Sequence, residues 1–351
     1  MKTESISLGH RRDFLKMAAL GGAAMISGGL REALAQTSPD WTKQIGLELF
    51  TVRDAMQTDF EGVLAKLASF GYKEVEPASG YNNMEPKEFR AMLDRYGLSM
   101  PSTHSGLPAG TDIEARLEGG RIMGLKYVEN FGGGGGGQRG GGRGPGGGAP
   151  GAVGPGGGAA PGGRRGGGGQ GAGQGGGRGA GQTEENVKRQ AQTLNENGKV
   201  AQKFGMKMIV HNHTMEFAPL ADKPEMHPYD ILLAETDPAL VTLQLDIGWA
   251  SVAGQDILAM FKKNPGRFEC WHVKDAKGIK AMPPTLTQGQ RQQAADLVPV
   301  GQGEVDYKSI FAQASLAGMK HFCIEQDNAA LWGDSVAAAR VSLNGLVRLL
   351  S

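Results

Sequence analysis

The stretch that decides the fold runs from Asp59 to Glu76 and reads DFEGVLAKLASFGYKEVE. Its apolar residues, at positions 60, 63, 64, 67 and 70, recur at the spacing of one helix face. Asp59 or Thr58 suits the start of that helix, and Gly71 suits its end. The following residues, Lys73–Glu76, have the pattern of a short strand that ends in a carboxylate. The stretch therefore predicts a helix, a glycine stop and a buried strand.

The same order of helix end, glycine and buried strand recurs along the chain. It reads GLKYV from Gly124, GMKMI from Gly205 and GMKHF from Gly318. In all, the sequence predicts eight strands: Ile45–Thr51, Lys73–Glu76, Ser99–His104, Lys126–Asn130, Lys207–His213, Thr242–Asp246, Glu269–Lys274 and His321–Gln326. Alternation of strands with helices predicts a parallel sheet, and eight repeats predict a closed (β/α)8 TIM barrel, a single α/β domain.

A doubly wound open sheet is the competing architecture. It would require a glycine-rich turn after the first strand, where the chain instead reads FTVRD over residues 50–54. The glycines at 132–137 follow a strand, but they do not open a helix in the frame of a phosphate-binding loop. The barrel is therefore the preferred prediction.

The first 35 residues have the order of a secretory signal. Arg11 and Arg12 precede an apolar run, Met17–Leu30, and the sequence ALA at 33–35 offers a small-residue cleavage site. Paired arginines followed by Phe-Leu-Lys point to twin-arginine export in a bacterium. The run is shorter than the ~20 residues that a bilayer span requires. We therefore expect a periplasmic protein, cleaved near Ala35 and without stable membrane insertion, whose barrel occupies residues 36–351.

A glycine-rich segment, residues 132–181, interrupts the barrel pattern. It holds 31 of the 58 glycines and no acidic residue. Such a composition cannot bury enough apolar surface to offset chain entropy, so we expect a disordered surface insertion. Arg-Gly-Gly spacing also occurs in RNA-binding segments. Export and a net charge of +1 argue against a nucleic-acid partner, and the length without signal and insertion is near the ~250 residues of a typical barrel.

Polar side chains end nearly every predicted strand, at the edge where the active sites of such barrels lie. In chain order they are Glu48, Glu76, His104, Glu129, Asn130, His211, His213, Glu216, Asp246, His272, Lys274, Glu325 and Asp327. Converging carboxylates repel one another unless a cation lies among them. Oxygen and imidazole donors suit Mn²⁺, Co²⁺, Zn²⁺ or Mg²⁺. We therefore predict a divalent metal site that includes Asp246, His272 and Glu325.

Some of these strand-end residues have a structural interpretation as well. His104 suits a hydrogen-bonded histidine of the barrel mouth as much as a substrate contact. Glu48 and Glu76 could form salt bridges with Arg53 or Lys274, because charged side chains near a buried strand end need a partner. Their roles in binding substrate therefore stay open at this point.

Two further pairs of residues share a strand face. His211 and His213 point the same way, so one could bind the metal while the other contacts substrate. Cys270 and Cys323 each lie two residues before a predicted ligand and therefore deeper in the barrel. We expect these two to be buried thiols, and two cysteines are too few for a disulfide framework.

Six motifs, taken in order, resemble the xylose isomerase-like, sugar phosphate isomerase/epimerase superfamily of AP endonuclease family 2-like TIM barrels. They are GLELFTVR from Gly46, VHNHTMEF from Val210, LDIGW from Leu245, WHVKD from Trp271, GQGEVD from Gly301 and IEQD from Ile324. The resemblance covers the chain from Ile45 onward except for the glycine-rich insertion. It implies the barrel fold and a single divalent metal, and it does not specify a substrate.

The resemblance also implies which residues bind that metal. Members of the superfamily use a glutamate, an aspartate, a histidine and a second glutamate from successive strands. The last three fall on Asp246, His272 and Glu325. The first falls on Glu216, with His211 as the alternative. Where some relatives have a histidine three residues after the aspartate, this chain has Trp249, so that substrate contact is expected to be absent or replaced.

The implied reaction is removal of a proton next to a sugar carbonyl, with the resulting enediolate stabilised by the metal. Glu216 and Glu325 would face each other across the metal as proton carriers, and Lys274 would hold a hydroxyl or the developing oxyanion. Glu76 and His104, with His211 and His213, would bind the sugar. Return of the proton to the same carbon epimerises the substrate, and return to the neighbouring carbon isomerises it.

Other functions fit the same residues. Loss of a β-hydroxyl or a glycosidic group after proton removal would make the protein a dehydratase, or a lyase or hydrolase acting on keto-sugars or 3-keto-glycosides. A phosphodiesterase of the endonuclease IV kind would require more histidines at the mouth. A barrel that binds sugar and metal without catalysis is a third class. For the isomerase, the dehydratase or lyase and the sugar-binding barrel alike we expect a small carbohydrate as partner, and a homo-oligomer is compatible with the sequence.

Overall fold

The computed structural model describes residues 40–129 and 182–351. The predicted signal, residues 1–35, and the predicted insertion, residues 132–181, lie outside these ranges, as does Asn130. By its internal contacts the chain divides into two units, Met1–Lys43 and Gln44–Ser351. In the first unit only Asp40–Lys43 are described, and there Nζ of Lys43 lies 3.3 Å from Oδ2 of Asp40. The second unit contains the sheet and the predicted catalytic, metal-binding and substrate-binding residues.

Helices separate the strands in the order that the sequence predicts. They are α1 (Arg53–Met56), α2 (Phe60–Phe70), α3 (Pro86–Arg95), α4 (Ile113–Met123), α5 (Glu184–Gln202), α6 (Pro228–Glu235), α7 (Ile247–Val252), α8 (Ile257–Lys263), α9 (Gln288–Ala294), α10 (Tyr307–Phe311), α11 (Ala314–Ala317) and α12 (Ser335–Leu350). In α2 the local sequence sets both ends. Oδ1 of Asp59 accepts the N–H of Gly62 at 2.9 Å, and Gly71 ends the helix with a φ of +118°.

Seven parallel strands form the curled sheet of the barrel. Within residues 40–129 and 182–351 the strands are β1 (Gly46–Glu48), β2 (Glu74–Glu76), β3 (Tyr127–Val128), β4 (Lys207–His211), β5 (Val241–Asp246), β6 (Cys270–Val273), β7 (Asp275–Lys277), β8 (Asp296–Val298) and β9 (His321–Ile324). The sheet has the order β2-β1-β9-β6-β5-β4-β3. With helices between the strands, this is the TIM barrel that the sequence predicts.

The predicted third strand, Ser99–His104, closes the barrel without becoming a regular strand. Ser99 forms a single parallel bridge with Glu74 of β2, and the carbonyl of Pro101 accepts the N–H of Lys126 at 2.8 Å on the β3 side. A proline has no N–H to donate, so the ladder cannot continue through it. The segment thus lies between β2 and β3, the two edges of the seven-stranded sheet, where the third of the eight predicted strands was expected.

A two-stranded antiparallel sheet, β7 paired with β8, adds to the predicted set. It opens directly after Lys274, with Asp275 opposite Val298 and Lys277 opposite Asp296. The predicted strand Glu269–Lys274 thus leads into a hairpin-like excursion before α10. The pattern of the sequence did not predict these strands.

Aromatic packing between the sheet and its helices sets the direction of β6. Trp271 is fully buried and stacks on Phe261 of α8, with ring centroids 5.2 Å apart. Since side chains alternate along a strand, the neighbouring His272 points into the barrel. Cys270 and Cys323 are buried free thiols, as expected. Among the helices of residues 40–129 and 182–351, none combines the length and the apolar composition of a membrane-spanning segment.

Candidate metal centre

The carboxyl ends of four neighbouring strands bring two imidazoles and two carboxylates together. β4 ends at His211, β5 ends at Asp246, β6 carries His272, and Glu325 directly follows β9. In the parallel register Asp246 lies beside His272. One donor atom from each of the four residues lies within 4.8 Å of the others. The cluster contains the three ligands that the sequence predicts without an alternative, together with His211.

The donor atoms of the cluster lie close to one another. Nε2 of His211 lies 3.3 Å from Oδ2 of Asp246. Nδ1 of His272 lies 3.9 Å from the same oxygen and 2.7 Å from Oε2 of Glu325. The second Asp246 oxygen, Oδ1, accepts the backbone N–H of Trp249 at 2.8 Å and so caps α7. This cap fixes the carboxylate with Oδ2 turned toward the imidazoles.

The donor set fits a divalent metal. Nδ1 of His272 and Oε2 of Glu325 are buried side by side, yet within the described residues neither atom completes a hydrogen bond of acceptable geometry. Atoms bound to one ion at about 2.1 Å are themselves separated by about 3–4 Å, and the separations of Asp246 Oδ2 from the two imidazole nitrogens, 3.3 and 3.9 Å, fall in this range. Two imidazole nitrogens and two carboxylate oxygens are suitable donors for first-row divalent ions.

The surroundings shift the pKa values of the two imidazoles in opposite directions. Burial, helped by the neighbouring rings of His272 and His104, lowers the pKa of His211 well below its usual 6.5. Burial also works against a charge on His272, but Glu76 and Glu325 outweigh it and raise the pKa of that ring well above 6.5. His211 is therefore a neutral donor near neutral pH. His272 must release the proton on Nδ1, the nitrogen that faces Glu325, before that nitrogen can bind an ion.

The two carboxylates are also unlike. Burial, and then the charge of Glu325, raise the pKa of Asp246 to about 6 against the opposing effect of Lys274. For Glu325, burial is outweighed by Lys274 and His272, which lower its pKa. Glu325 is therefore the more firmly ionised of the pair.

Of the two candidates for the fourth ligand, the cluster contains His211 and not Glu216. Glu216 lies in a short 3-10 helix, Met215–Phe217, just beyond β4. Its Oε2 accepts the backbone N–H of His213 at 2.7 Å. This carboxylate therefore stabilises its own turn, and the geometry favours the alternative, His211.

Lys274 is a buried cation beside the cluster. Its Nζ lies 3.1 Å from Oδ2 of Asp246, 3.0 Å from Oε2 of Glu325 and 2.9 Å from Oδ2 of Asp327. Burial disfavours its charge, but the three carboxylates outweigh burial and raise its pKa well above 10.5. The ring of Trp249, 5.3 Å away, covers it on another side. Lys274 thus shares two of its three partners with the candidate metal site.

Glu76, predicted to bind substrate, lies fully buried behind His272. Its Oε1 is 2.9 Å from Nε2 of His272 and 3.2 Å from Nε2 of His104. Its Oε2 accepts hydrogen bonds from the hydroxyl of Ser102 and, at 2.8 Å, from the amide of Gln244. The two imidazoles outweigh burial and lower the pKa of Glu76 to about 2.

The sequence analysis missed Gln244 and Ser102. Gln244 is buried in the middle of β5, where its Oε1 is 2.8 Å from Nε2 of His104. It stands two residues before Asp246 and so shares its inward face. A polar residue between Leu243 and Leu245 was the signal that could have identified it.

The other predicted substrate-binding residues line the open side of the cluster. The ring of His104 is 4.8 Å from the rings of His211 and His272, and its Nε2 is 3.5 Å from Oε1 of Glu129. The ring of His213 is 4.9 Å from that of His211. His104 and His213 are half-buried. The structure therefore brings three of the four predicted substrate-binding residues, His104, His211 and His213, to one side of the site.

The alternative salt bridges considered for Glu48 and Glu76 do not form in the described part of the chain. Arg53 donates instead to the carbonyls of Phe50 and Asp327, at 2.7 and 3.1 Å. Glu48 accepts the N–H of Phe50 at 2.9 Å. Burial, and then Glu325, raise its pKa well above 4.5.

Asp275, the last residue of the motif WHVKD, holds the backbone of the motif GQGEVD in place. Its carboxylate accepts the N–H groups of Gly301 and Gly303, both at 2.9 Å, and that of Val305 at 3.2 Å. A Cβ on Gly303 would lie 2.1 Å from Oδ1 of Asp275. The loop therefore closes over the residue next to Lys274, and it requires glycine at that place.

A family model described as xylose isomerase-like TIM barrel matches residues 168–343 of this chain. The chain belongs to the xylose isomerase-like TIM barrel family. The match includes all four residues of the cluster and Lys274, so the family extends over the half of the barrel that carries the candidate metal centre.

Among curated proteins, this family member is similar to inosose dehydratases from several bacteria, among them Bacillus licheniformis and Clostridium perfringens. The one from Bacillus licheniformis is 31% identical over 134 residues, which is 37% of this chain and 42% of the relative. The one from Clostridium perfringens is 32% identical over 133 residues, which is 36% of this chain and 42% of the relative. The chain thus matches less than half the length of these relatives.

Solved structures share the fold over most of the chain. A sugar phosphate isomerase/epimerase from Parabacteroides distasonis is 17% identical, with a TM-score of 0.59 over 90% of this chain and 98% of its own. An L-ribulose 3-epimerase is 14% identical, with a TM-score of 0.53 over 88% and 94%. A protein solved with a bound zinc atom is 12% identical, with a TM-score of 0.54 over 88% and 98%. At these identities the likeness shows the fold alone.

Proposed function

We propose that this protein is a metal-dependent carbohydrate isomerase or epimerase, which removes a proton from the carbon next to a carbonyl group. The observation that carries the proposal is the convergence of His211, Asp246, His272 and Glu325 at the mouth of the barrel. A divalent ion held there, Mn²⁺, Co²⁺, Zn²⁺ or Mg²⁺, would polarise a sugar carbonyl and its adjacent hydroxyl and so acidify that carbon. The zinc atom of one structural relative supports this assignment.

The chain's own residues supply the proton chemistry. Glu325 is the proposed base, since it is an ionised carboxylate of the cluster and lies beside both Lys274 and His272. Lys274 would donate to the oxygen on which negative charge develops. Glu216 remains the proposed carrier on the other face, and return of the proton to the same or the neighbouring carbon sets epimerisation or isomerisation. His104 and His213 would bind sugar hydroxyls.

Dehydration is the second candidate, and the names of the curated relatives favour it. The first step is the same proton removal by Glu325. The electrons of the broken C–H bond then form a carbon–carbon double bond as the neighbouring C–O bond breaks. The hydroxyl leaves with a proton as water, and the product is an unsaturated ketone. Nothing in the arrangement of the cluster would have to change.

Solvent deuterium exchange tests the shared step. The purified protein, supplied with Mn²⁺, would be incubated in deuterated water with a panel of free sugars, inososes and keto-glycosides. We expect deuterium at the carbon next to the carbonyl in at least one of them. Loss of water from an exchanged compound would select the dehydratase, and a new stereoisomer or a shifted carbonyl would select the isomerase. Exchange in none of them would sink the proposed proton removal.

Glu325→Gln separates catalysis from binding. This variant keeps an oxygen donor but cannot accept the proton, so we expect turnover to fall by at least 10²-fold while a metal is still bound. A barrel that only binds sugar would show equal metal content and sugar affinity in both proteins, with no turnover in either. Lys263→Met, at an exposed lysine 3.6 Å from Asp230, is the control and should retain full turnover.

Export remains a second proposal, carried by the paired arginines Arg11 and Arg12 ahead of an apolar run. Fusion of residues 1–35 to a reporter should direct it to the periplasm of a bacterium with twin-arginine transport. Replacing both arginines with lysine should keep the reporter inside. Periplasmic reporter from the lysine form would contradict the twin-arginine route.

A further inference from the structure

Glu76 and His272 form the best-defined pair at the barrel centre. Both side chains are fully buried, and Oε1 of Glu76 lies 2.9 Å from Nε2 of His272. The other ring nitrogen, Nδ1, is the one that faces Glu325 and Asp246, at 2.7 and 3.9 Å. The two nitrogens therefore have different neighbours: Nε2 faces the Glu76 carboxylate from β2 and, at 3.0 Å, the amide nitrogen of Gln244, whereas Nδ1 faces the candidate metal site.

The surrounding hydrogen bonds decide which nitrogen of His272 carries a proton. Gln244 donates its amide N–H to Oε2 of Glu76 at 2.8 Å, while its Oε1 lies 2.8 Å from Nε2 of His104. Turning this amide over would set its oxygen against the Glu76 carboxylate. The amide nitrogen of Gln244 also lies 3.0 Å from Nε2 of His272, but a bare Nε2 would place a lone pair 2.9 Å from the Glu76 carboxylate, and a hydrogen bond to an ionised acceptor is the stronger of the two contacts. Nε2 must therefore carry the hydrogen and donate it to Glu76.

We infer that Glu76 is a positioning residue that fixes His272 as the Nε2–H tautomer and so presents Nδ1 to the metal. A carboxylate that accepts the second N–H of a ligating imidazole holds the ring in place and makes its other nitrogen a stronger donor. This inference rests on the metal site of the proposed function. It also replaces the substrate-binding role that the sequence indicates for Glu76, because a fully buried carboxylate behind a ligand cannot reach a sugar in the mouth.

The rest of the environment of Glu76 suits this role. Ser102 and Gln244 both donate to its second oxygen, so the carboxylate cannot rotate away from the ring. Oε1 also lies 3.2 Å from Nε2 of His104, which places two imidazoles of the site against one carboxylate. Loss of its charge should therefore weaken metal binding more than it weakens the fold.

The chain offers a matched control on the same strand. Glu74, two residues earlier in β2, pairs with His321 at 2.9 Å, a second glutamate–histidine contact, and the parallel register sets it at the opposite end of the strand. Glu76→Gln and Glu74→Gln each remove one carboxylate charge from one such pair. Only the first pair includes a candidate ligand.

Metal titration of the full chain tests the inference. We expect the dissociation constants for Zn²⁺ and Mn²⁺ to rise 10–100-fold in Glu76→Gln and to stay within 3-fold of the parent in Glu74→Gln. Urea unfolding of both metal-free variants would report any general loss of stability. In zinc-loaded protein labelled with ¹⁵N-histidine, the His272 signals should show Nδ1 bound and Nε2 protonated.

Each outcome bears on one claim. If the parent protein binds no metal, the proposed function fails. If the parent binds metal and Glu76→Gln binds it equally well, or if Nε2 of His272 is the bound nitrogen, the positioning role is overturned. A higher KM for substrate at unchanged metal affinity would restore Glu76 as a substrate-binding residue and also refute the inference.

Discussion

The ammonium nitrogen of Lys274 lies 3.1 Å from Oδ2 of Asp246, the oxygen that also faces both candidate imidazole ligands. Two cations would therefore share one buried carboxylate when a metal is present. Without the metal, Lys274 reduces the repulsion among Asp246, Glu325 and Asp327, together with the protonated ring of His272 beside Glu325.

Lys274→Met should therefore destabilise the metal-free protein by about 3–5 kcal/mol, because it removes the cation between two buried carboxylates, Asp246 and Glu325, and the partly exposed Asp327. Added Mn²⁺ should restore part of the loss, so that the metal raises the melting temperature more in the variant than in the parent. Thermal unfolding with chelator and with excess Mn²⁺ measures both quantities. Equal stability of parent and variant in chelator would show that Lys274 does not have this role.

The identity of the fourth ligand gives the second prediction. His211→Ala should weaken metal binding by about 100-fold or more, since even residues behind a ligand contribute 10–100-fold. Glu216→Gln should change it by less than 3-fold, because its carboxylate accepts the N–H of His213. His213→Ala, which removes a ring 4.9 Å from that of His211, is the control. A large loss of metal affinity in Glu216→Gln with little change in His211→Ala would show instead that Glu216 is the fourth ligand.

This uncertainty shows where the sequence stops being informative. Strand periodicity and the glycine stops predict the barrel because they are local properties, and the strand ends predict Asp246, His272 and Glu325 because parallel strands finish at one edge. The choice between His211 and Glu216 depends on how the chain turns after β4. Neither residue type nor spacing determines that turn.

Long-range geometry accounts for the other differences. Pro101 interrupts the third predicted strand because it lacks an N–H, yet its carbonyl still bonds to Lys126 across the gap. Glu76 is held beside His272 by a hydrogen bond between two residues that are 196 positions apart in the sequence. A single sequence contains no pattern for such a contact, so the sequence predicts that Glu76 is important but not why.

Gly303 gives a steric prediction. A Cβ at this residue would lie 2.1 Å from Oδ1 of Asp275 and 2.6 Å from the carbonyl of Ala276. Gly303→Ala should therefore cost about 1–3 kcal/mol of unfolding free energy, as the loop shifts and loses its hydrogen bonds to Asp275. Urea unfolding of the metal-free protein measures this cost.

Gly289→Ala is the matched control for that measurement. Gly289 lies within α9, and the added Cβ would meet only Sδ of Met215, at 3.9 Å. Alanine is favoured over glycine inside a helix, so this variant should be neutral or stabilised by about 0.5–1 kcal/mol. A loss at residue 289 equal to that at residue 303 would mean that the Asp275 loop is not the cause.

Glu269 gives the last prediction, which concerns pH. Its Oε1 lies 2.7 Å from Nζ of Lys207, and its Oε2 lies 3.1 Å from Nζ of Lys320 and accepts the hydroxyl of Tyr127 at 2.8 Å. Burial would raise the pKa of this carboxyl, but these three donors outweigh burial and lower it below 4.5. Because the folded pKa is below the unfolded one, the stabilisation is complete above about pH 5 and is lost as the pH falls.

Glu269→Gln should therefore be less stable than the parent by about 1–2 kcal/mol at pH 7, a modest figure because both lysines are partly exposed to solvent. The difference should shrink as urea unfolding is repeated from pH 6 down to pH 3.5. Tyr127→Phe keeps the titrating carboxylate, so its difference from the parent should vary much less. A gap for Glu269→Gln that stays constant over this range would show that the charge of Glu269 contributes nothing to the folded state.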